Sequence, residues 1–483
     1  MGSSSRHRRE KRKRLAEQQR RHQAAARPAP GAGHKPGPTG FGPAPGSAAG
    51  HRQATVSEIE AGLDRSAIEA ALLSYAHGSD SFLFRQAVAS LADIEEDPRF
   101  SVRPTTAASA LILQLVTKLY EVGWQPGDLV HVVRRKWSAR AGRLALAAVA
   151  SEARMARATE RAPAEWLDQL EDLDVYDATK QTIVGGHAAP VTSWARAERL
   201  HADEALHIAL SVLGQLLRLP KLTAIVPAPS QWPSSNKGIM PKAVHHHGSV
   251  APKTLALIRA LLAKAEATTF EAEADAFTAK AQDLMTRYSI DAAFVAASGQ
   301  DGADALRAGI ASRRVHIESP YADEKATFLH VVAQVNTVKS IWNTDVGFCT
   351  LMGFPVDLDL TEMLFTSLLV QATRAAGEAT SADRQARTAS FKRAFLTSYA
   401  HRIGERLRLA GEQASVDAEA QYGQSLVPVL AAKADAIDEA YAQAFPNATT
   451  MRSRSYDAAG WYAGRAAADR AEIASGEAIA AGR

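Results

Sequence analysis

The first half of the chain shows apolar residues that recur at the spacing of one helix face. The pattern is clearest in Ile59–Leu72, Ala107–Val122 and Ala205–Leu217, as expected of amphipathic helices. Short segments rich in glycine, proline and aspartate separate these runs, and alternating runs of β-branched or aromatic residues are scarce. Residues 51–219 are therefore predicted to form an all-α domain.

A proline-rich segment and then a helical hairpin are predicted next. Residues 220–252 contain six prolines, which is typical of an interdomain linker. Residues 253–291 hold two amphipathic runs, and Thr268 with Glu271 resembles a capping box that starts the second helix. The second run spaces its apolar residues by 4, 3, 4, 3 and 4 positions: Phe270, Ala274, Phe277, Ala281, Leu284 and Tyr288. This narrow seam predicts antiparallel packing on the first helix.

Residues 292–483 mix both periodicities and predict an α+β domain with a small antiparallel sheet. The strand candidates are Val315–Ile317, Val338–Trp342, Gly347–Met352 and Val356–Leu360, with Leu426–Leu430 as a weaker edge strand because of Pro428. Helices are predicted at Tyr321–Val335, Thr361–Ala375, Ser390–Ala410, Ala432–Ala444 and Tyr456–Ile473. The predicted fold class is mostly α, with an all-α domain, a helical hairpin and this α+β domain.

The hairpin closely resembles domain of unknown function 2786, a short helical module of bacterial and phage proteins. The residues that carry the resemblance are Lys253, Ile258, Leu261, Leu262, Ala265, Glu271, Ala272, Ala274, Lys280, Ala281, Leu284, Met285, Tyr288 and Ile290. The region after it is similar to the companion domain that often follows this module, at Ser319–Tyr321, Gly353, Phe354, Asp357, Leu364–Gln371, Phe391–Leu407, Phe445, Pro446 and Gly460–Gly464. The resemblance implies a fold neighbourhood and no activity.

Charge divides the chain more sharply than its net value of +4 suggests. Residues 1–50 hold eleven lysines and arginines against two acidic residues, a net charge of +9, whereas the remaining residues carry −5. The segment is also rich in proline, glycine and alanine, so we predict a disordered basic arm. Its densest cluster is a candidate nucleic-acid tether: Arg8, Arg9, Lys11, Arg12, Lys13 and Arg14. A solubilising tail is the alternative interpretation.

Two further basic stretches lie within the acidic remainder of the chain. His131–Arg143 contains Trp137 and no acidic residue, and Phe391–Arg408 contains one acidic residue. Arginine forks beside aromatic rings suit nucleic-acid backbones and stacked bases. The candidate residues are Arg134, Arg135, Lys136, Arg140, Lys392, Arg393, Arg402 and Arg406. A solvated or internally paired helix face is the alternative for both stretches.

The acidic set Asp357, Asp359 and Glu362 is the best indication of an enzyme. On an extended segment the two aspartates share a face, and with His330 they could hold Mg²⁺ for a hydrolase or nuclease. Helix capping by Asp359, with Glu362 near the helix N-terminus, is the simpler alternative. Phosphate-binding glycine loops, helical zinc motifs and nucleophile-elbow motifs are absent from the sequence.

These features favour a non-enzymatic, cytoplasmic binding protein that engages DNA, RNA or a nucleoprotein partner. No apolar run is long enough to span a membrane, and the basic N-terminal region lacks the apolar core of a secretory signal. The single cysteine, Cys349, excludes intrachain disulfides, and no cofactor is expected. A metal-dependent hydrolase or nuclease remains one alternative. A protein–protein adaptor whose hairpin seam is completed by another chain remains the other.

Overall fold

The computed structural model describes residues 56–470 except 77, 102, 235–251, 269–270, 298–301, 383–387, 423–425 and 450–456. The predicted arm, residues 1–50, lies outside the described residues. Within them helices dominate and two small antiparallel sheets complete the regular structure, which confirms the mostly helical fold class. None of the described helices is long and apolar enough to cross a membrane.

The first half is a helical assembly around a continuous apolar core. Its helices are α1 (Val56–Tyr75), α2 (Phe82–Glu96), α3 (Pro104–Glu121), α4 (Pro126–Lys136), α5 (Ala139–Met155), α6 (Ala158–Arg161), α7 (Ala164–Asp172), α8 (Pro190–Glu198) and α9 (Ala202–Leu216). Two antiparallel strands of two residues each, β1 (Tyr176–Asp177) and β2 (Thr182–Ile183), are the only β-structure among the described residues of this half, which was predicted to be all-α.

Local sequence explains where these helices begin. Proline occupies the first position of α3, α4 and α8, where its missing N–H costs no helical hydrogen bond. A serine caps α2 and α5, since the Ser81 hydroxyl accepts from the Phe84 amide and the Ser138 hydroxyl from the Ala141 amide. The core that these helices enclose contains fully buried Trp124.

The segment after α9 packs against this core. Trp124 donates through its indole N–H to the Pro220 carbonyl at 2.8 Å. A short 3₁₀ helix spans Pro229–Gln231, and the adjacent Trp232 is buried with its ring 5.1 Å from that of Trp166. Residues 220–234 of the segment predicted as a linker are therefore part of the packed first half, and residues 235–251 lie outside the described residues.

The second half is α+β, as predicted. Its helices are α10 (Pro252–Ala267), α11 (Glu271–Ala297), α12 (Gly302–Ala308), α13 (Ala322–Val335), α14 (Pro355–Ala382), α15 (Ala389–Tyr422), α16 (Leu426–Ala444) and α17 (Ala458–Arg470). Strands β3 (Ala311–His316), β4 (Lys339–Asn343) and β5 (Phe348–Gly353) form an antiparallel sheet in the order β3-β5-β4. Helices α13 and α14 pack against this sheet.

Two predicted strands are wrong, and both segments are helical. Val356–Leu360 lies in the first turns of α14, where almost every side chain is buried. The alternation of apolar and acidic residues in this segment therefore does not correspond to one buried and one exposed face of a strand. Leu426–Leu430 opens α16, with Pro428 in the first turn, where a proline costs little. The predicted hairpin β4–β5 is confirmed, with Trp342 opposite Cys349.

The predicted helical hairpin is confirmed as α10 and α11. Its apolar residues Ile258, Leu262, Ala281 and Met285 are buried in the same core as α13–α15. Helices of the same chain therefore cover the hairpin's seam. The predicted capping box falls partly on residues 269–270, which lie outside the described residues.

Candidate nucleic-acid interface and the adjoining cleft

The first predicted basic stretch belongs to the junction between the two halves of the protein. Helix α4 begins at Pro126, and its third residue, Asp128, accepts a hydrogen bond from the Gln125 amide at 3.1 Å. The same helix packs on strand β3 of the second half. Phe348 of β5 also lies in the core of the first half, with its ring 6.3 Å from that of Trp124. The junction is therefore partly an apolar core and partly a set of polar contacts.

Asp128 and Arg314 form a buried ion pair at this junction, with side chains 1% and 3% exposed. Arg314 also donates to the carbonyl oxygens of Gly123 at 2.8 Å and Thr223 at 2.9 Å. The second carboxylate oxygen of Asp128 lies 2.9 Å from His316 Nε2. Burial alone would raise the pKa of Asp128, but Arg314 and His316 outweigh it, so this pKa lies below its ordinary value.

A second histidine completes the junction. The His131 ring stacks on that of His316, with centroids 4.6 Å apart, and His131 Nε2 donates to the Gly347 carbonyl at 2.9 Å. Its Nδ1 lies 3.5 Å from the Glu318 carboxylate. Burial, reinforced by neighbouring His316, lowers the pKa of His131 to about 4. The imidazole is therefore neutral at pH 7, in the tautomer that protonates Nε2.

The other candidates on the first basic stretch lie near this junction or on α5. Arg134 forms an ion pair with Glu318. Arg135 donates to the Ile317 carbonyl at 3.2 Å and to the Ser319 hydroxyl at 3.4 Å. Lys136 is exposed to solvent at the end of α4.

The remaining candidates are distributed over two helices. Arg140 on α5 pairs with Glu198 and Glu204. On α15, Arg402 pairs with Glu405 and Asp469, and Arg406 donates to the Ala468 carbonyl. The last two candidates on α15 are Arg393, 3.8 Å from the Glu324 carboxylate, and half-buried Lys392.

The acidic set does not converge on one point. Asp357 on α14 pairs with Lys433 on α16 at 2.6 Å, and these side chains are 1% and 2% exposed. Lys433 also donates to the Ser289 hydroxyl at 2.8 Å and lies over the Phe354 ring, 5.1 Å from its centroid.

The other members of the set have different partners. Asp359 and Glu362 both pair with Arg313, at 2.7 and 3.0 Å. His330 Nδ1 lies 2.8 Å from the Ser340 hydroxyl, and burial lowers the pKa of this histidine. Among the residues that the structure describes, no group of three or more His, Cys, Asp or Glu side chains is placed to hold a metal ion.

A cleft of about 390 Å³ adjoins the junction. Its walls come from the segment after α9, the three strands of the larger sheet and the end of α16: Lys221, Leu222, Thr223, Arg314, Ile341, Trp342, Asn343, Thr344, Asp345, Phe348, Thr350 and Phe445. Sequence reasoning missed this cleft, because its residues come from four distant segments of the chain. The only local signal was the turn composition of Asn343–Asp345, which predicted the hairpin and nothing about a site.

Comparison with known proteins identifies the hairpin. Residues 253–292 match a family model described as "Protein of unknown function (DUF2786)". This match confirms the resemblance that the sequence of the hairpin indicated. No curated protein and no solved structure matches the chain.

Proposed function

We propose that the protein binds nucleic acid through its basic N-terminal segment, while the folded remainder supplies a second, more selective contact. The observation that carries the proposal is the division of charge, +9 on residues 1–50 and −5 on all the others. A cluster of cations on one segment releases counterions when it meets a polyanion, and this release drives binding to phosphate backbones.

The contacts within the folded part support the arm as the main electrostatic element. Arg140 and Arg402 each lie beside two carboxylates, and Arg406 is buried against a backbone carbonyl. A cation that is already paired adds little to the attraction of a phosphate. Of the candidates on the folded part, exposed Lys136 at the end of α4 is the best placed to contact a bound strand.

The proposal also covers the domain that follows the hairpin, the cellular compartment and the acidic set. The region after the hairpin is proposed to be the companion domain that it resembles, and the compartment is proposed to be the cytoplasm. The acidic set is not proposed as a catalytic site, since its carboxylates pair with Lys433 and Arg313.

The test is a fluorescence-anisotropy titration of the full-length protein against single-stranded DNA, duplex DNA and single-stranded RNA at 50 and 200 mM salt. The key variant changes Arg8, Arg9, Lys11, Arg12, Lys13 and Arg14 to glutamine. Loss of six phosphate contacts is expected to reduce the slope of log affinity against log salt by about 4 for a single strand.

The matched control carries neutral substitutions in the same segment, Q18S, Q19S and Q23S, and is expected to bind like the unaltered protein. Binding of the unaltered protein without salt dependence, or no binding to any of the three probes, would overturn the proposal. Equal affinities of the glutamine variant and the control would also overturn the role of the arm.

A further inference from the structure

The cleft beside the junction has one wall from each half of the protein. Lys221, Leu222 and Thr223 form the first wall, and the strands of the larger sheet form the second. The Thr223 hydroxyl donates to the Ala444 carbonyl at 3.3 Å, next to Phe445 at the end of α16. The cleft has a volume of about 390 Å³, which lies within the usual range of small-molecule sites, about 300–1,000 Å³.

Two half-buried aromatic rings line this cleft. Trp342 is held by a hydrogen bond from its indole N–H to the Asp323 carboxylate at 3.1 Å. Phe445 packs against Tyr441, with ring centroids 5.4 Å apart. Both side chains retain a solvent-exposed fraction, so each offers part of a ring surface to a ligand. Flat, partly exposed rings bind nucleobases by stacking, whatever the base.

Polar groups of the cleft match the rest of a nucleotide. Lys221 is an exposed cation on one wall, suited to a phosphate, and Asn343 and Asp345 bring hydrogen-bonding groups to the other wall. Arg314 also lines the cleft. Its side chain is 3% exposed and already donates to the carbonyls of Gly123 and Thr223, so it fixes the wall of the cleft and leaves ligand contacts to the exposed residues.

We propose that this cleft receives one unpaired nucleotide of a single-stranded nucleic acid, with the base against Phe445 and the phosphate near Lys221. The proposal rests on the proposed nucleic-acid binding and names the class of ligand, a single strand. A base paired within a duplex is stacked between its neighbours and cannot enter a cleft of this size without being extruded.

The test compares labelled (dT)20 with a 20-base-pair duplex, using the full-length protein. F445L removes the flat ring and keeps an apolar side chain against Tyr441, and K221Q removes the exposed cation. F445L is expected to weaken (dT)20 binding about tenfold, and K221Q about threefold, while duplex affinity changes less than twofold. Thermal melts establish that both variants remain folded.

Matched controls are Y462A, which removes an exposed aromatic ring on α17, and K118Q, which removes an exposed lysine on α3. Neither residue lines the cleft, so both variants are expected to bind (dT)20 normally. If folded F445L and K221Q bind (dT)20 like the controls, the cleft proposal is overturned and binding by the arm stands. If the unaltered protein binds neither probe at low salt, the proposed function itself fails.

Discussion

Two ion pairs in the described part of the protein are almost completely buried, and they are built differently. Asp357–Lys433 joins α14 to α16 within the second half, with the Ser289 hydroxyl and the Phe354 ring beside the lysine. Asp128–Arg314 joins α4 of the first half to β3 of the second. Here the arginine also donates to two backbone carbonyls, and the aspartate also contacts His316.

The difference shows that equal burial does not mean an equal role. A buried ion pair pays a large desolvation cost, and apolar side chains of similar volume often replace it without loss of stability. Lys433 satisfies few groups besides Asp357. Arg314 satisfies carbonyl oxygens that an apolar side chain would leave without a donor, so the junction depends on its arginine in a way that the core pair does not.

The largest expected effect comes from breaking the core pair on one side. K433M leaves Asp357 buried without its cation and is expected to lower the free energy of unfolding by about 3–5 kcal/mol. The double variant K433M/D357L removes both charges and is expected to return to within about 2 kcal/mol of the unaltered protein. Chemical denaturation at pH 7 measures both values.

The same double replacement at the junction is expected to recover less stability. R314M/D128L leaves the part-buried carbonyl of Gly123 without its donor, and an unsatisfied buried group costs about 1–3 kcal/mol, whereas water can replace the contacts of the more exposed Thr223 carbonyl and His316 ring. Its stability should therefore recover about 1–3 kcal/mol less than that of K433M/D357L. Equal recovery by the two double variants would contradict the contrast between the pairs.

Glu152 is a buried acid with no cationic partner among the described residues, so removing its charge is expected to stabilise the protein at neutral pH. Burial, with a smaller effect of Glu121, raises the pKa of Glu152 to about 7, and its Oε2 has no hydrogen-bond partner among the described residues. Because the folded state holds this proton more tightly than the unfolded state does, stability falls as the pH rises from about 4.5 to 7. E152Q is expected to stabilise the protein by about 3 kcal/mol at pH 8 and by little at pH 4.

Melts at both pH values measure this effect, with E160Q as the control. Glu160 is an exposed acid of the same half that pairs with Arg157, so its replacement should shift stability only slightly and alike at both pH values. A destabilising effect of E152Q at pH 8 would show that the Glu152 carboxylate is held by an interaction other than those described.

His131 at the junction should make the stability of the protein sensitive to acid. The pKa of His131 is about 4 in the folded protein and near 6.5 in an unfolded chain. The unfolded state therefore binds the extra proton first, so stability is lost as the pH falls from 6.5 toward 4. H131Q keeps an amide donor for the Gly347 carbonyl, and it should lose on the order of 2 kcal/mol less over this range.

Denaturant melts at pH 7 and pH 4.5 test this prediction for the unaltered protein and H131Q. The groups that face His131 are His316, Glu318, Arg134 and the Gly347 carbonyl. The variant keeps all of them, so the difference between the two proteins measures His131 together with its electrostatic interaction with His316. Identical acid losses would contradict the prediction.

The smallest effect is expected at an exposed pair. Arg140 is 42% exposed and pairs with Glu204, which is 49% exposed. Exposed ion pairs contribute about 0.2–1 kcal/mol, so R140Q should lower stability by less than about 1 kcal/mol. The loss should shrink further in 1 M NaCl, where the charges are screened. A loss of stability comparable to that of K433M would show that Arg140 stabilises the fold by more than an exposed ion pair.

The helices and the hairpin sheet could be predicted because their signals are local. The seam of α11 and the turn between β4 and β5 each lie within a few dozen consecutive residues. Val356–Leu360 failed because α14 is buried on nearly all sides there, so apolar and acidic letters alternate without an exposed face. Asp357 tolerates that burial only because Lys433 pairs with it from another helix, a fact that no short window of sequence contains.

The junction and the cleft could not be predicted for the same reason. Asp128 lies in a Gln-Pro-Gly-Asp segment that signals a break between helices, and nothing near it indicates Arg314 or His316. The basic stretches were visible, but their carboxylate partners, such as Glu318 and Glu198, lie far along the chain. The sequence therefore reports local periodicity and total charge well, and it does not report which charges neutralise one another.

The contacts of Arg314 also bear on what would happen if the two halves were separated. Its partners, Asp128 and the carbonyls of Gly123 and Thr223, all belong to the first half, whereas Arg314 belongs to strand β3 of the second. Separation would expose the guanidinium to water, which can replace its hydrogen bonds. It would also uncover the Phe348 ring, which now lies in the core of the first half beside Trp124, so the second half expressed alone would present an apolar ring to solvent.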